Sequence, residues 1–210
     1  MKNKTVLDIL KDNNAVITND HFVYTSDRHG SVYINKDVIY PHTKVTSEIG
    51  KIFANTFKNL DIDVVVAPAI GGIVLSQWTA HHLSVLKNKQ ILGMYTEKNL
   101  EKNQIFTRGY DKLVTGKNVL IIEDITTTGG SVQKVIKSVL EHGGSIVAIG
   151  VMVNRDPINV THNTFGYPFT ALSELFVESF DQNDCPMCKK NQPINTSVGH
   201  GKKFLTAKNA

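Results

Sequence analysis

The sequence predicts a doubly wound α/β fold, with a mainly parallel five-stranded sheet and a small N-terminal hood subdomain. Two observations carry this. Short, almost wholly apolar runs recur through the middle of the chain and alternate with helical patterns, as a sheet covered on both faces requires. One of these runs ends in two acids and a loop of hydroxyls and glycines, at the carboxyl edge where such sheets take ligands.

The elements follow in order. Residues 5–11 read as a short helix, and 21–35 (HFVYTSDRHGSVYIN) as two short strands around a turn. An amphipathic helix over 43–57 leads into the core. DVVVAP (63–68) is the first buried strand, followed by a glycine turn and a helix over 73–86. ILGMY (91–95) is the second strand, and NVLIIED (118–124) the third. A helix over 131–141 follows, closed by Gly143 and Gly144. SIVAIGVMV (145–153) is the fourth strand and FTALSEL (169–175) a weaker fifth. The chain divides as one domain with a hood region over 1–40, an α/β core over 41–180 and a tail over 181–210.

Composition bounds the function. The 210 residues are 41% hydrophobic and 20% charged, as in an ordinary globular protein. The net charge of +4 is too small to argue for nucleic acid and favours phosphorylated small molecules only mildly. No apolar run reaches the roughly 20 residues of a membrane span, and the N-terminus lacks the pattern of a secretory signal. A cytoplasmic protein is expected, with no membrane and no nucleic-acid partner.

The chemistry gathers at VLIIEDITTTGGS (119–131). Glu123 and Asp124 end a buried strand, where two adjacent acids are costly unless they meet a ligand or a cation. Thr126, Thr127, Thr128, Gly129, Gly130 and Ser131 follow. Such a loop turns backbone N–H groups toward one anion, and the next helix points its N-terminus at the same place. The plainer alternative is a strand–turn–helix with Asp124 or a threonine as a cap.

This segment resembles the phosphoribosyl-pyrophosphate motif of the type I phosphoribosyltransferases. VVVAPAIGGIVLS (64–76) resembles the family's pyrophosphate loop. TSDRHGSVYINKD (25–37) and VNRD (153–156) resemble segments of its orotate phosphoribosyltransferase branch. The resemblance implies the type I phosphoribosyltransferase fold and a Mg2+-dependent reaction. Orotate displaces pyrophosphate from phosphoribosyl pyrophosphate, giving orotidine 5-phosphate, in a homodimer. It implies that Glu123 and Asp124 hold the ribose hydroxyls and the metal's water shell. Thr126 to Ser131 would cradle the 5-phosphate, and Ala69, Ile70, Gly71 and Gly72 would face the pyrophosphate. Lys98, Lys102 and Arg108, in the polar segment 96–117, are the candidate cations for the leaving group. That segment is either a solvated loop or a mobile cover. Arg155 is expected to meet the orotate carboxylate, with Arg28 and Tyr33 nearby. Thr25 stands where the branch has a lysine, which keeps transfer to a purine base open; the other alternative is a non-catalytic regulator that senses phosphoribosyl pyrophosphate, as some proteins of this fold do.

Cys185 and Cys188 form a CxxC near the C-terminus. The pair is half of a structural Zn2+ site, with His200 at a usable spacing and His29 or His162 among the candidates for a fourth ligand. The alternative is a reduced turn with two buried thiols.

Overall fold

A computed structural model describes residues 4–208. Helix α1 (Val6–Asp12) opens with a capping box between Thr5 and Asp8. Strands β1 (Val16–Val23) and β2 (His29–Ile34) pair antiparallel as a separate two-stranded sheet. A short 3-10 turn (Lys36–Val38) leads to α2 (Thr43–Phe57), which buries Thr46, Ile49, Gly50, Phe53 and Phe57 along one stripe.

The core elements follow: β3 (Val64–Pro68), α3 (Gly71–Lys87), β4 (Leu92–Lys98), β5 (Gln104–Ile105), α4 (Tyr110–Val114), β6 (Asn118–Thr126), α5 (Gly130–Glu141), β7 (Ser145–Asn154), α6 (His162–Phe165) and β8 (Phe169–Glu174). They form a six-stranded sheet in the order β5-β4-β3-β6-β7-β8. The five predicted strands are all present and mutually parallel. The sixth, β5, is a two-residue antiparallel edge strand from the polar segment. Its apolar content is a single Ile105, too little to mark a strand by pattern.

Alternation along the central strands explains the double covering. Val65 and Ala67 of β3, with Leu120 and Ile122 of β6, pack with Phe53, Leu75 and Leu83 on one face. Val64, Val66, Val119 and Ile121 pack on the other face with Val132, Val135 and Val139 of α5. At ~25 cal/mol per Å2, such continuous apolar burial is the main term holding the two layers together. The chain order reverses between β3 and β6, which places the open crevice at their carboxyl ends.

The tail packs on the β1–β2 hairpin. Phe180 pairs with His29, Asn195 N–H donates to the His21 carbonyl at 2.8 Å, and His200 N–H donates to the Val23 carbonyl at 2.9 Å. The tail carries α7 (Pro186–Lys189) and α8 (Gly201–Lys208). Among the described residues, no helix is long and apolar enough to cross a membrane.

Candidate active site

Strand β6 runs two residues beyond its sequence-predicted end and delivers Glu123 and Asp124, both buried, to the crevice. Asp124 is heavily engaged. Its Oδ2 accepts from Lys36 Nζ at 2.5 Å and from the Tyr40 hydroxyl at 2.9 Å, and its Oδ1 accepts from Ile125 N–H at 2.6 Å. Glu123 Oε1 accepts from Asp124 N–H at 2.9 Å. The hairpin's exit is thereby fastened to the acid pair. Leaving Asp124 short of a donor would cost about 1–3 kcal/mol.

Two carboxyls so placed divide their roles. Burial, and then the neighbouring Asp124 charge, push Glu123 well above the usual carboxylate range. Burial works against the Lys36 charge, but Asp124 outweighs it and Lys36 is raised. Burial, followed by Asp124, drives the Tyr40 hydroxyl strongly upward, so it donates rather than ionises.

Two loops close on this pair. After β3, Ala69 N–H donates to the Thr96 carbonyl at 2.8 Å, the Ala69–Ile70 peptide is cis, and Ile70 is exposed. Gly71 then begins α3 so close to the acids that a Cβ there would overlap Asp124 Oδ2. It would also lie 2.6 Å from Lys36 Nζ and 2.7 Å from the Tyr40 hydroxyl. Hydrogen at this position is the condition for acids, lysine and helix N-terminus to meet. After β6, Thr126 Oγ1 accepts from Gly129 N–H at 3.1 Å, and Gly129, at φ +78°, turns the chain into α5. No side-chain cap bond is made at the start of α5, whose Ser131 lines the crevice, so its first N–H groups are left available with the polarity an anion requires.

The crevice holds a cavity of about 300 Å3 lined by Ala69, Ile70, Gly71, Glu123, Asp124, Thr127, Ser131, Tyr33, Lys98 and Arg155 of the expected residues. An adjoining cavity shares Tyr24, Thr25, Thr127 and Arg155 and adds Thr128 and Arg28. Arg155 lies over the Tyr24 ring, 4.4 Å from its centroid, and its Nε is buried without a hydrogen-bond partner among the described residues. The Arg28 guanidinium is committed to Ser179 and to Asp181 Oδ2 at 3.1 Å. It braces the tail. Tyr33 packs on Phe22, with ring centroids 5.4 Å apart.

The polar segment is folded rather than loose. Of its three candidate cations, Lys98 lines the cavity. Arg108 pairs with Glu97 at 3.2 Å, and Thr107 also bonds Glu97. The Lys102 carbonyl accepts from Lys134 at 2.7 Å.

Sequence reasoning missed Lys36, Tyr40, Tyr24 and His200 in this site. Lys36 lies 88 positions from Asp124, and no local pattern announces that meeting. A lysine beside a strand end was the one available signal. His200 lines the cavity, with its Nε2 3.3 Å from Thr25 Oγ1. It is not beside the CxxC; the histidines that are beside it are His21 and His29.

Comparison with known proteins agrees with this geometry. Residues 35–160 match the family model described as a phosphoribosyl transferase domain. The orotate phosphoribosyltransferase of Caldanaerobacter subterraneus subsp. tengcongensis is 32% identical over 194 residues, covering 92% of this chain and 96% of that protein. That of Thermoanaerobacter sp. is 34% identical over the same shares. The structure of Mycobacterium tuberculosis H37Rv orotate phosphoribosyltransferase in complex with 5-phospho-alpha-D-ribosyl 1-diphosphate superposes with a TM-score of 0.61. It is 18% identical, and the match covers 81% of this chain and 96% of that one. The acid pair, the two loops that close on it and these likenesses converge on one conclusion: the chain belongs to the type I phosphoribosyltransferase family, in its orotate phosphoribosyltransferase branch.

Proposed function

We propose that this protein transfers the phosphoribosyl group from phosphoribosyl pyrophosphate to orotate, giving orotidine 5-phosphate and pyrophosphate. The observation that carries the proposal is the Glu123–Asp124 pair, set between Gly71 and the uncapped N-terminus of α5 on the wall of one cavity. Glu123 and Asp124 accept from the ribose diol. Thr126 to Ser131 hold the 5-phosphate with N–H and hydroxyl donors. Ala69 to Gly72 present backbone to the pyrophosphate, and Lys98 adds charge as it leaves. Arg155, already oriented by the Tyr24 ring, has N–H groups to give the orotate carboxylate in a two-pronged pair.

The donor set suits magnesium held mainly through water and substrate oxygens. Both Asp124 oxygens already accept hydrogen bonds, which leaves little room for a cage made by the protein alone. When bound, the ion offsets negative charge developing on the pyrophosphate. The chain's own residues orient the ribose and exclude water. We further read the β1–β2 hairpin with its tail as the hood over a core of residues 41–180, in a cytosolic homodimer. Arg108 faces Glu97 rather than the cavity of its own chain, which fits cations that serve a second copy.

Incubation with phosphoribosyl pyrophosphate, magnesium and orotate, followed by orotate consumption, tests the reading. Turnover is expected, and Asp124→Asn should lose most of it, since Lys36 and Tyr40 would then hold a neutral amide. Absence of turnover in the unaltered protein refutes the proposal.

A further inference from the structure

The hairpin and the tail meet at a cluster that the transfer reaction does not use. His21 lies on β1, His29 begins β2, Cys185 immediately precedes α7 and Cys188 lies within it. One side-chain atom from each falls within 4.8 Å of all the others. Cys188 Sγ is 3.4 Å from His29 Nδ1. Cys185 Sγ and Cys188 Sγ are each 3.7 Å from His21 Nε2. A tetrahedral zinc ion with bonds of about 2.3 Å to sulfur and about 2.0–2.1 Å to nitrogen separates its sulfur and nitrogen ligands by roughly 3.5 Å. These three separations match. Of the six separations among four ligands, one more, 2.7 Å between His21 Nε2 and His29 Nδ1, must open by about 0.6 Å for that geometry.

Three further observations point the same way. His21 Nδ1 lies 2.8 Å from the Gln192 carbonyl. A carbonyl only accepts, so Nδ1 carries the proton and Nε2 keeps its lone pair for the cluster, with His29 Nδ1 at 2.7 Å and the two sulfurs at 3.7 Å, the tautomer a metal-bound histidine takes. Both cysteines are in the reduced form, at the C-x2-C spacing of structural zinc sites. His21, His29 and Cys185 are buried. Two thiolates and one divalent cation sum to zero, which removes the cost of burying either charge alone.

We infer that His21, His29, Cys185 and Cys188 bind one structural zinc ion that pins the C-terminal tail to the N-terminal hairpin. Binding releases the two thiol protons and leaves both histidines neutral. Thiolate with imidazole selects zinc over magnesium, so the site is chemically separate from the catalytic one. The tail has little apolar anchorage of its own. Cys185 and Met187 are its buried hydrophobic residues among those described beyond Asp181. The same tail places His200 on the wall of the catalytic cavity and supplies Asp181 to Arg28. The ion therefore holds part of that wall in position.

The test is metal analysis of the full chain, purified under reducing conditions without chelators or a metal-affinity tag. One zinc per chain is expected. Cys188→Ser, at the least buried ligand, should reduce zinc to background while circular dichroism shows the core folded. Because a ligand variant can fail to fold, a second measurement uses the unaltered protein. Zinc is exchanged for cobalt(II), and the spectrum should show thiolate charge transfer with the intense visible bands of a tetrahedral site. Zinc removal should also lower Tm and expose two thiols to a colorimetric reagent. Reduced protein that neither carries zinc nor takes up cobalt would overturn the inference. So would a metal retained in folded Cys188→Ser, or cobalt bands without thiolate character. Orotate turnover enters none of these readouts, so failure of the zinc site and failure of the proposed reaction are distinguishable.

Discussion

Gly71→Ala adds one methyl group at the tightest point of the site. A Cβ at this position would overlap Asp124 Oδ2 and approach Lys36 Nζ to 2.6 Å and the Tyr40 hydroxyl to 2.7 Å. Ordinary contacts need about 3.4 Å or more, so Lys36 and Tyr40 must draw back by nearly 1 Å and Asp124 by more than about 1 Å, or the start of α3 must shift instead. Asp124 cannot swing aside freely, because Lys36, Tyr40 and Ile125 N–H all hold it. Overpacking of this kind costs about 1–3 kcal/mol, and the gain from replacing a helical glycine recovers less than about 1 kcal/mol of it at a first-turn position. For a chain of this size that is a fall in Tm of roughly 2–8 °C. The larger effect falls on rate. A displacement of about 1 Å in a positioning group costs on the order of 100-fold. Steady-state kinetics with phosphoribosyl pyrophosphate should show kcat/KM reduced by about that factor, alongside the drop in Tm. Wild-type kcat/KM at unchanged Tm would refute the proposed fit of acids, lysine and helix start.

Other outcomes follow from the same geometry. Glu123 is raised above its ordinary value of 4.5, so the native state holds this proton to higher pH than the unfolded chain does. Its contribution to stability is then fully present below about pH 4.5 and is lost as pH rises through the native value. The difference in Tm between wild type and Glu123→Gln, followed against pH, should shift in favour of the variant as pH rises; a flat difference would contradict the burial argument. Lys98→Ala should lower kcat by about tenfold or more with Tm unchanged, whereas Arg108→Ala, on the proposed homodimer reading, should act through the partner's site in mixed dimers. Equal effects in the same chain would reverse those roles. Arg155→Lys should raise KM for orotate more than KM for phosphoribosyl pyrophosphate, because an ammonium cannot make the two-pronged pair.

Most of the fold was legible because its strands are locally self-declaring. VVVAP and VLII leave no face for water, so their burial on both sides could be read without coordinates. The placement of the acid pair and the threonine–glycine loop in the crevice was legible for a related reason: they directly follow a strand that must be buried, at the sheet's carboxyl edge. Lys36 and Tyr40 were not legible, since an isolated lysine and tyrosine acquire meaning only when folding brings Asp124 to them. The polar segment hid β5 and α4 because their order comes from tertiary contacts such as the Thr96–Gln104 hydrogen bond, not from periodicity. The CxxC announced half of a site. Its histidine partners lie more than 150 positions away in the hairpin. Spacing along the chain favoured His200, but the fold turned that residue to the cavity instead.

Base specificity is where the geometry is most exposed to contradiction. Pyrophosphate release should be measured with phosphoribosyl pyrophosphate, magnesium and, separately, orotate, uracil, adenine, guanine, hypoxanthine and xanthine. Orotate is expected to support turnover far above every other base, because among them it alone offers a carboxylate to Arg155. Release with a purine at a rate equal to or above that with orotate would contradict it.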